Sequence, residues 1–145
     1  MRGGRIFDPE RAAARPLGQL WIADDVVLAE HAADTPIPAG VAVVDARDHM
    51  VLPGLFDLHA HVGAHGGSYT LTLDPAENLE TAVLCGVTNV VDLHGDPATI
   101  FALWQRSRRD TRLARLWCAG GTFTAPKGHA TQFGFPANEG PAPTM

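Results

Sequence analysis

Val51-Leu52-Pro53-Gly54-Leu55-Phe56-Asp57-Leu58-His59-Ala60-His61 is the stretch that decides how this chain folds and what it does. Pro53-Gly54 interrupts the chain ahead of an apolar run, so residues 55–59 read as a strand entered through a turn. Side chains two apart on a strand share a face. Asp57, His59 and His61 therefore project together, while Phe56, Leu58 and Ala60 face the other way, toward covering helices. Two imidazoles about 7 Å apart along a strand converge on one divalent ion by tilting inward, and neutral imidazole is the commonest protein ligand for zinc and related metals. The spacing alone is weak, since chance supplies about 0.3 His-x-His pairs in a chain with this many histidines. Position strengthens it. Burying a carboxylate and two imidazoles on one strand face is costly without partners or a metal. A hydrogen-bonded structural cluster is the competing reading, and the residues alone leave both open.

Downstream, the texture alternates between helix and strand. Residues 74–85 read as a helix: Asp74 caps, Pro75 suits the first helical position, and Glu77 completes a capping-box-like spacing. Leu79, Ala82 and Val83 give it an apolar face, and Gly86 ends it. Residues 87–93 form a second, mostly apolar strand, as buried parallel strands do. Asp96-Pro97 opens another helix with Ile100, Leu103, Trp104 and Ser107 on one side, and Arg106, Arg108 and Arg109 near its C-terminus, where the dipole favours cations. Residues 114–119 read as a third strand, closed by Gly120-Gly121. Strands beginning about 30 residues apart suit βαβ units of a parallel sheet.

Upstream, residues 1–52 read as short strands broken by turns. Arg5-Ile6-Phe7, Leu20-Trp21-Ile22, Val26-Val27-Leu28 and Val41-Ala42-Val43-Val44 are the β-rich runs. The expected fold class is α/β: the first three βα units of an incomplete TIM barrel over residues 53–135, preceded by a small sheet over 1–52 and followed by a loop-like tail over 136–145. A closed (β/α)₈ barrel takes about 250 residues, and this chain has 145. It therefore reads as a truncated product or as the first section of a longer polypeptide.

Composition narrows the partners. With 46% hydrophobic and 19% charged residues, the chain has the make-up of a globular protein. A net charge of −5 disfavours nucleic acid and anionic membrane, which select for basic surfaces. Cys85 and Cys118 are far apart in apolar contexts and read as buried free thiols. No apolar run marks a signal peptide or a bilayer span, so the cytoplasm is the default location. A homo-oligomer is compatible with the sequence.

The motif running from Val51 to His61 resembles the first barrel strand of the amidohydrolase superfamily, an apolar-Pro-Gly run followed by Asp-x-His-x-His. The resemblance implies that His59 and His61 are metal ligands. Val44-Asp45-Ala46-Arg47-Asp48-His49-Met50 resembles the end of the family's N-terminal β-sandwich half. Ala82-Val83-Leu84-Cys85-Gly86-Val87-Thr88-Asn89-Val90-Val91-Asp92 resembles its second βα unit. Gly120-Gly121-Thr122-Phe123-Thr124-Ala125-Pro126-Lys127-Gly128-His129 is similar to the loop after strand three in the imidazolonepropionase-like and dipeptidase-like branch. The family would supply one or two divalent ions, zinc first among them, to activate water and polarise the scissile carbonyl. Its other ligands, and the Asp that serves as general acid and base, are expected beyond Met145, leaving no catalytic acid or base among these residues.

The resemblance implies hydrolysis of a non-peptide carbon–nitrogen bond, with a small-molecule amide, cyclic amides included, as the expected partner. A dipeptidase-like amidohydrolase is the rival within the class, and an inactive remnant or scaffold is the rival outside it. Asp57 is expected to support the ligands from behind without binding metal. His94, at the end of the second strand, and His129, in the loop after the third, are expected to line the substrate pocket. His65 is a weaker pocket candidate in a loop. Lys127, His31 and His49 read as surface residues, and Trp21, Trp104 and Trp117 as core or interface packing.

Overall fold

The computed structural model describes residues 1–65, 68–71, 74–121, 125 and 127–128. Contacts divide the chain into two compact units, Met1–Pro53 and Gly54–Met145. The first contains β1 (Arg5–Asp8), β2 (Ala13–Pro16), β3 (Gln19–Ala23), β4 (Val26–His31) and β5 (Met50–Val51). β1 pairs antiparallel with β2 and parallel with β5, and β3 with β4 makes an antiparallel hairpin. Leu17, Leu20 and Ala46 are its buried apolar residues. Gln19 is buried too, and its amide is fully used: Nε2 donates to the carbonyls of Ala33 (3.2 Å) and Thr35 (2.6 Å), and Oε1 accepts from the Trp21 indole (3.0 Å). Such pairing removes the cost of burying the amide.

One expectation for this unit needs correction. Residues 41–44, β-rich in composition, form no strand. The Val44 carbonyl accepts from the Arg2 amide, but Val41, Val43 and Val44 stay exposed. β-Propensity reflects packing against neighbours more than a backbone preference, and no strand ladder forms along this run. Conversely, Ala-Ala-Arg-Pro at 13–16 is a poor strand former and still becomes β2, because β1 offers it a ladder.

The second unit contains β6 (Leu55–Ala60), β7 (Ala64–His65), β8 (Ser68–Leu71), α1 (Ala76–Leu84), β9 (Val87–Asp92), α2 (Pro97–Ser107) and β10 (Arg115–Cys118). β6, β9 and β10 form a parallel sheet in the order β10-β9-β6, with a helix in each connection. This is a mixed α/β architecture. Its core joins Val62, Ala76, Leu79, Val90, Ile100, Leu103, Leu113, Ala114 and Leu116. Leu79 and Ile100 come from the helix faces read in the sequence, with Ala82, Val83 and Trp104 packed beside them.

Local chemistry explains the helix ends. Asp96 caps α2 by accepting from the Thr99 amide (2.8 Å), with Pro97 at the first helical position. α1 begins one residue later than expected: Pro75 occupies the cap position, and Asp74 Oδ1 accepts from the Ala76 amide (2.9 Å). Gly86, at φ +84°, follows α1 in the left-handed region that glycine enters without strain. Cys85 lies at the C-cap of α1 and is exposed, not buried as expected; both cysteines are free thiols. No helix among the described residues is long and apolar enough to cross a membrane.

β6 departs most from its expected geometry. Asp57 pairs with Val90 and Ala60 with Asp92, so three steps along β6 match two along β9. The extra residue is a bulge, and it breaks the two-residue alternation between Asp57 and the histidines. Phe56 and Leu58 are 61% and 68% exposed, so they do not lie under helices as expected. β6 is an edge strand of this sheet, and the buried core gathers around β9 and β10. Within the bulge, Asp57 Oδ1 accepts from the His59 amide (3.1 Å). Gly54 sets the approach to β9, since a Cβ there would collide with the Thr88 side chain.

Two measurements check this packing. Leu79→Ala should destabilise the chain by about 2–5 kcal/mol in urea unfolding, because Leu79 is fully buried. Leu84→Ala, in the same helix but 83% exposed, should stay within about 0.5 kcal/mol. For the bulge, Asp57→Ala should speed hydrogen exchange of the His59 amide, and Asp57→Asn, which keeps an acceptor oxygen, should leave it close to the original rate.

Candidate metal centre

Parallel pairing brings the C-terminal ends of β6, β9 and β10 to one edge of the sheet, and that edge collects the polar side chains. His59 and His61 leave the end of β6, with ring centroids 5.5 Å apart and planes at 84°. His94, two residues past β9, stands 6.2 Å from His61, again edge to face. Three imidazoles from two strand ends thus lie side by side. The sequence placed His94 here as a pocket residue, and the structure puts it next to His61.

The backbone carrying His61 is fixed from two sides. The Val62 amide donates to Asp92 Oδ1 (2.8 Å), across 30 residues of sequence, and the Val62 carbonyl accepts from Asn78 Nδ2 (2.7 Å) on α1. Val62 itself is buried in the core. Further backbone bonds close the same edge: Leu93 N–H to the Ala60 carbonyl (3.1 Å) and Ala119 N–H to the Asp92 carbonyl (2.9 Å). The loop bearing the second histidine is therefore part of the sheet's own hydrogen-bonding.

Asp92 is wholly buried. Burial pushes its carboxyl above the usual carboxylate range, opposed by the Val62 amide, the charge of His61 and the His94 amide. Burial also pushes the Cys118 thiol up, helped by the charge of Asp92 alongside it. Among the described residues, His61 Nδ1 and Asp92 Oδ2 are buried here without a hydrogen-bond partner. Orphaned buried groups are rare and ask for a reason. The sequence reading missed Asp92 as a site residue and Asn78 altogether. The signal for Asp92 was a carboxylate closing an otherwise apolar strand.

Do these residues fit a metal ion? Two imidazoles sharing one tetrahedral ion at ordinary Zn–N lengths have ring centres about 5 Å apart, close to the separation of His59 and His61. Neutral imidazole nitrogens are the right donors for zinc. The pair fits two positions of a coordination set. Among the described residues, no group of three or more His, Cys, Asp or Glu side chains is arranged to hold an ion. An ion held by this pair would need further ligands.

The other candidates stand apart. Asp57 is exposed and bonds the main chain of His59, not an imidazole. His129 lies outside the described residues, as does the side chain of His65. Lys127 is exposed at a left-handed turn position. His49 is exposed, with Nδ1 against the Arg47 carbonyl (2.8 Å), and the half-buried His31 stacks on Trp21 at 4.1 Å. Trp117 is exposed, its indole donating to Asn89 Oδ1 (3.1 Å).

Comparison with known proteins bears on the whole arrangement. No protein-family profile matches the chain. Among curated relatives, a dihydroorotase of Citrifermentans bemidjiense is 37% identical over 90 residues, covering 62% of this chain and 20% of that protein. A dihydroorotase of Mycobacterium tuberculosis is 32% identical over 98 residues, covering 61% and 21%. An allantoinase of Streptomyces avermitilis is 32% identical over 117 residues, covering 76% and 24%. The chain thus spans about a fifth to a quarter of the length of the curated relatives it matches. Among solved structures, one described as "Structural and catalytic characterization of molinate hydrolase" superimposes with a TM-score of 0.70 at 21% identity, over 84% of this chain and 29% of that one. At that identity the likeness speaks for the fold. Taken with the His-x-His strand, these relatives place the chain in the amidohydrolase superfamily, matched over the N-terminal part of its members.

Proposed function

We propose that the protein carrying these residues hydrolyses a carbon–nitrogen bond of a cyclic amide, using a divalent ion held in part by His59 and His61. The observation that carries this reading is the pair of imidazoles 5.5 Å apart at the C-terminal edge of a parallel sheet. In closed α/β barrels that edge is where chemistry is done. The βαβαβ connectivity from β6 to β10, with the likeness to the molinate hydrolase structure, supports an incomplete TIM barrel as the setting. The strands before Gly54 would then be part of an accompanying β-sandwich.

Lewis acidity that activates water at neutral pH is the chemistry such an ion supplies when bound, with zinc the first candidate. The chain's own residues do the rest of what can be assigned. His59 and His61 would donate imidazole nitrogens. The bonds from Asp92 and Asn78 to the Val62 peptide hold His61 in place before any ion arrives, which lowers the ordering cost of the site. Asp57 steadies the backbone of His59 through its amide. His94, beside His61, is placed to meet a polar group of the substrate. No general acid or base is assigned among the described residues.

The relatives named dihydroorotase and allantoinase favour cyclic amides over dipeptides, and they favour an enzyme over an inert remnant. Two free thiols fit a reducing compartment such as the cytoplasm.

In the full-length protein, His59→Ala and His61→Ala should each lose bound metal and turnover together, while His49→Ala keeps both. Elemental analysis alongside a rate assay on a panel of cyclic amides and dipeptides reads this out. Full metal occupancy in the double variant, or turnover of dipeptides alone, would overturn the assignment. The 145 residues by themselves, supplemented with zinc, should hydrolyse the same panel no faster than buffer, because among their described residues two imidazoles are assigned to the ion and no general acid or base is assigned.

A further inference from the structure

Residues 41–44, β-rich in sequence yet without a strand ladder, line an apolar groove of about 290 Å³ in the first unit, whose walls include Trp21, Ile22, Leu28, Ile37, Val41 and Val43. Ile22, Leu28, Val41 and Val43 are exposed. Met1 and Arg2 line the same groove and lie between its two edges: Arg2 bridges Gln19 in the antiparallel sense and Asp45 in the parallel sense. On the β3 side, the Leu20 amide donates to the Met1 carbonyl (2.9 Å) and the Met1 ammonium donates to the Leu20 carbonyl (2.8 Å). On the other side, the Arg2 amide donates to the Val44 carbonyl (3.0 Å) and the Ala46 amide to the Arg2 carbonyl (2.9 Å). The two edges therefore stand two strand spacings apart, roughly 9–10 Å, with Met1 and Arg2 as the strand between them.

Those bonds fix which backbone groups come next along the groove. Successive residues of a strand turn their N–H and C=O to opposite edges. Leu20 uses the edge away from β4, so Ile22 presents its own pair there too; the irregularity in the hairpin places the extra residue, Leu28, in β4 and leaves β3 in step. Continuing the parallel ladder past Arg2 calls on the Val44 N–H and the Ala42 carbonyl. The groove thus combines main-chain donors and acceptors along both edges, at strand spacing, with apolar side chains in its walls. An extended peptide matches that combination, because its main chain satisfies both edges while alternate side chains fill the apolar walls. A compact ligand satisfies neither edge. We propose that the groove is a strand-docking site whose occupant is an extended segment of alternating apolar residues joined ahead of Met1, antiparallel to β3 and parallel to residues 41–44. Direction and register follow from Met1 and Arg2, whose line the segment continues. A separate strand would have to stop against Met1, and a joined one meets no break. The site lies wholly within the first unit and is independent of the histidines.

The test compares the full-length protein starting at Met1 with the same protein carrying Val-Thr-Val-Thr, or Gly-Ser-Gly-Ser, fused ahead of Met1. Val and Thr favour a pleated strand and Gly does not. Hydrogen exchange of the Ile22 and Val44 amides should slow by about 10-fold or more with the Val-Thr extension and keep its original rate with the Gly-Ser extension, and sedimentation should show the same oligomeric state throughout. Equal exchange in all the forms overturns the proposal, because the groove then takes no strand. Equal slowing by both extensions overturns it as well, since coverage without strand pairing explains that result. Slow exchange already present in the unextended monomer assigns the groove to another segment of the polypeptide. Slow exchange that is lost on dilution to monomer assigns it to a second copy of the chain. Either outcome overturns the joined occupant.

Discussion

The peptide that follows His61 is held between two strand ends and a helix, and the arrangement of the edge depends on that clamp. Asp92 at the end of β9 takes the Val62 amide, and Asn78 on α1 takes the carbonyl. Without these bonds the segment after β6 would be an ordinary loop at the edge of a small sheet, and its conformation would be one of many. With them, the chain leaving β6 is fixed to β9 and to α1, while Val62 enters the core beside Leu79 and Val90. A hydrogen bond to a buried carboxylate is stronger than one between neutral groups, and losing either partner leaves the other stranded. The clamp is therefore hard to dispense with.

The same region shows a division of labour between the two sides of the sheet. The apolar side is ordinary packing: Val90, Leu116 and Ala114 against Leu79, Ile100 and Leu103. Helical periodicity of 3.6 and strand periodicity of 2 suffice to build it. Phe56, Leu58 and Trp117 remain exposed, and the polar groups collect at the strand ends. The bulge in β6 lies between Asp57 and Ala60, a span that contains Leu58 and His59. Bulges recur next to active sites because they re-aim side chains. Here one lies just before His61 and interrupts the alternation that would otherwise fix the direction of every residue in the motif.

The relatives sharpen the chemical reading without completing it. Their names, dihydroorotase and allantoinase, belong to the cyclic-amide part of the range that the motif opened, and the match extends over the region containing the His-x-His strand and the second βα unit. The histidines and the carboxylate at the sheet edge have the chemistry of a metal site, but the described residues hold only two candidate ligands close together. A coordination set is a tertiary object, assembled from strand ends that are distant in sequence.

What the sequence by itself determined is whatever depends on neighbours along the chain. Asp96-Pro97 marked the start of α2, Gly86 marked the end of α1, the apolar faces of both helices were legible at 3.6 residues, and His-x-His after Pro-Gly marked the strand whose end brings two imidazoles together. What only the tertiary structure decided depends on partners far away. Ala13–Pro16 became a strand because β1 was beside it, while the valines at 41–44 did not. Phe56 and Leu58 stayed exposed because β6 is bulged and lies at the edge of its sheet. Asp92 read as the polar end of an apolar strand until folding carried it across 30 residues to the amide after His61. Periodicity and capping are local and leave a pattern in the sequence. A hydrogen bond between two strand ends leaves none, since nothing in the spacing of Val62 and Asp92 distinguishes them from any other pair until parallel pairing sets their register.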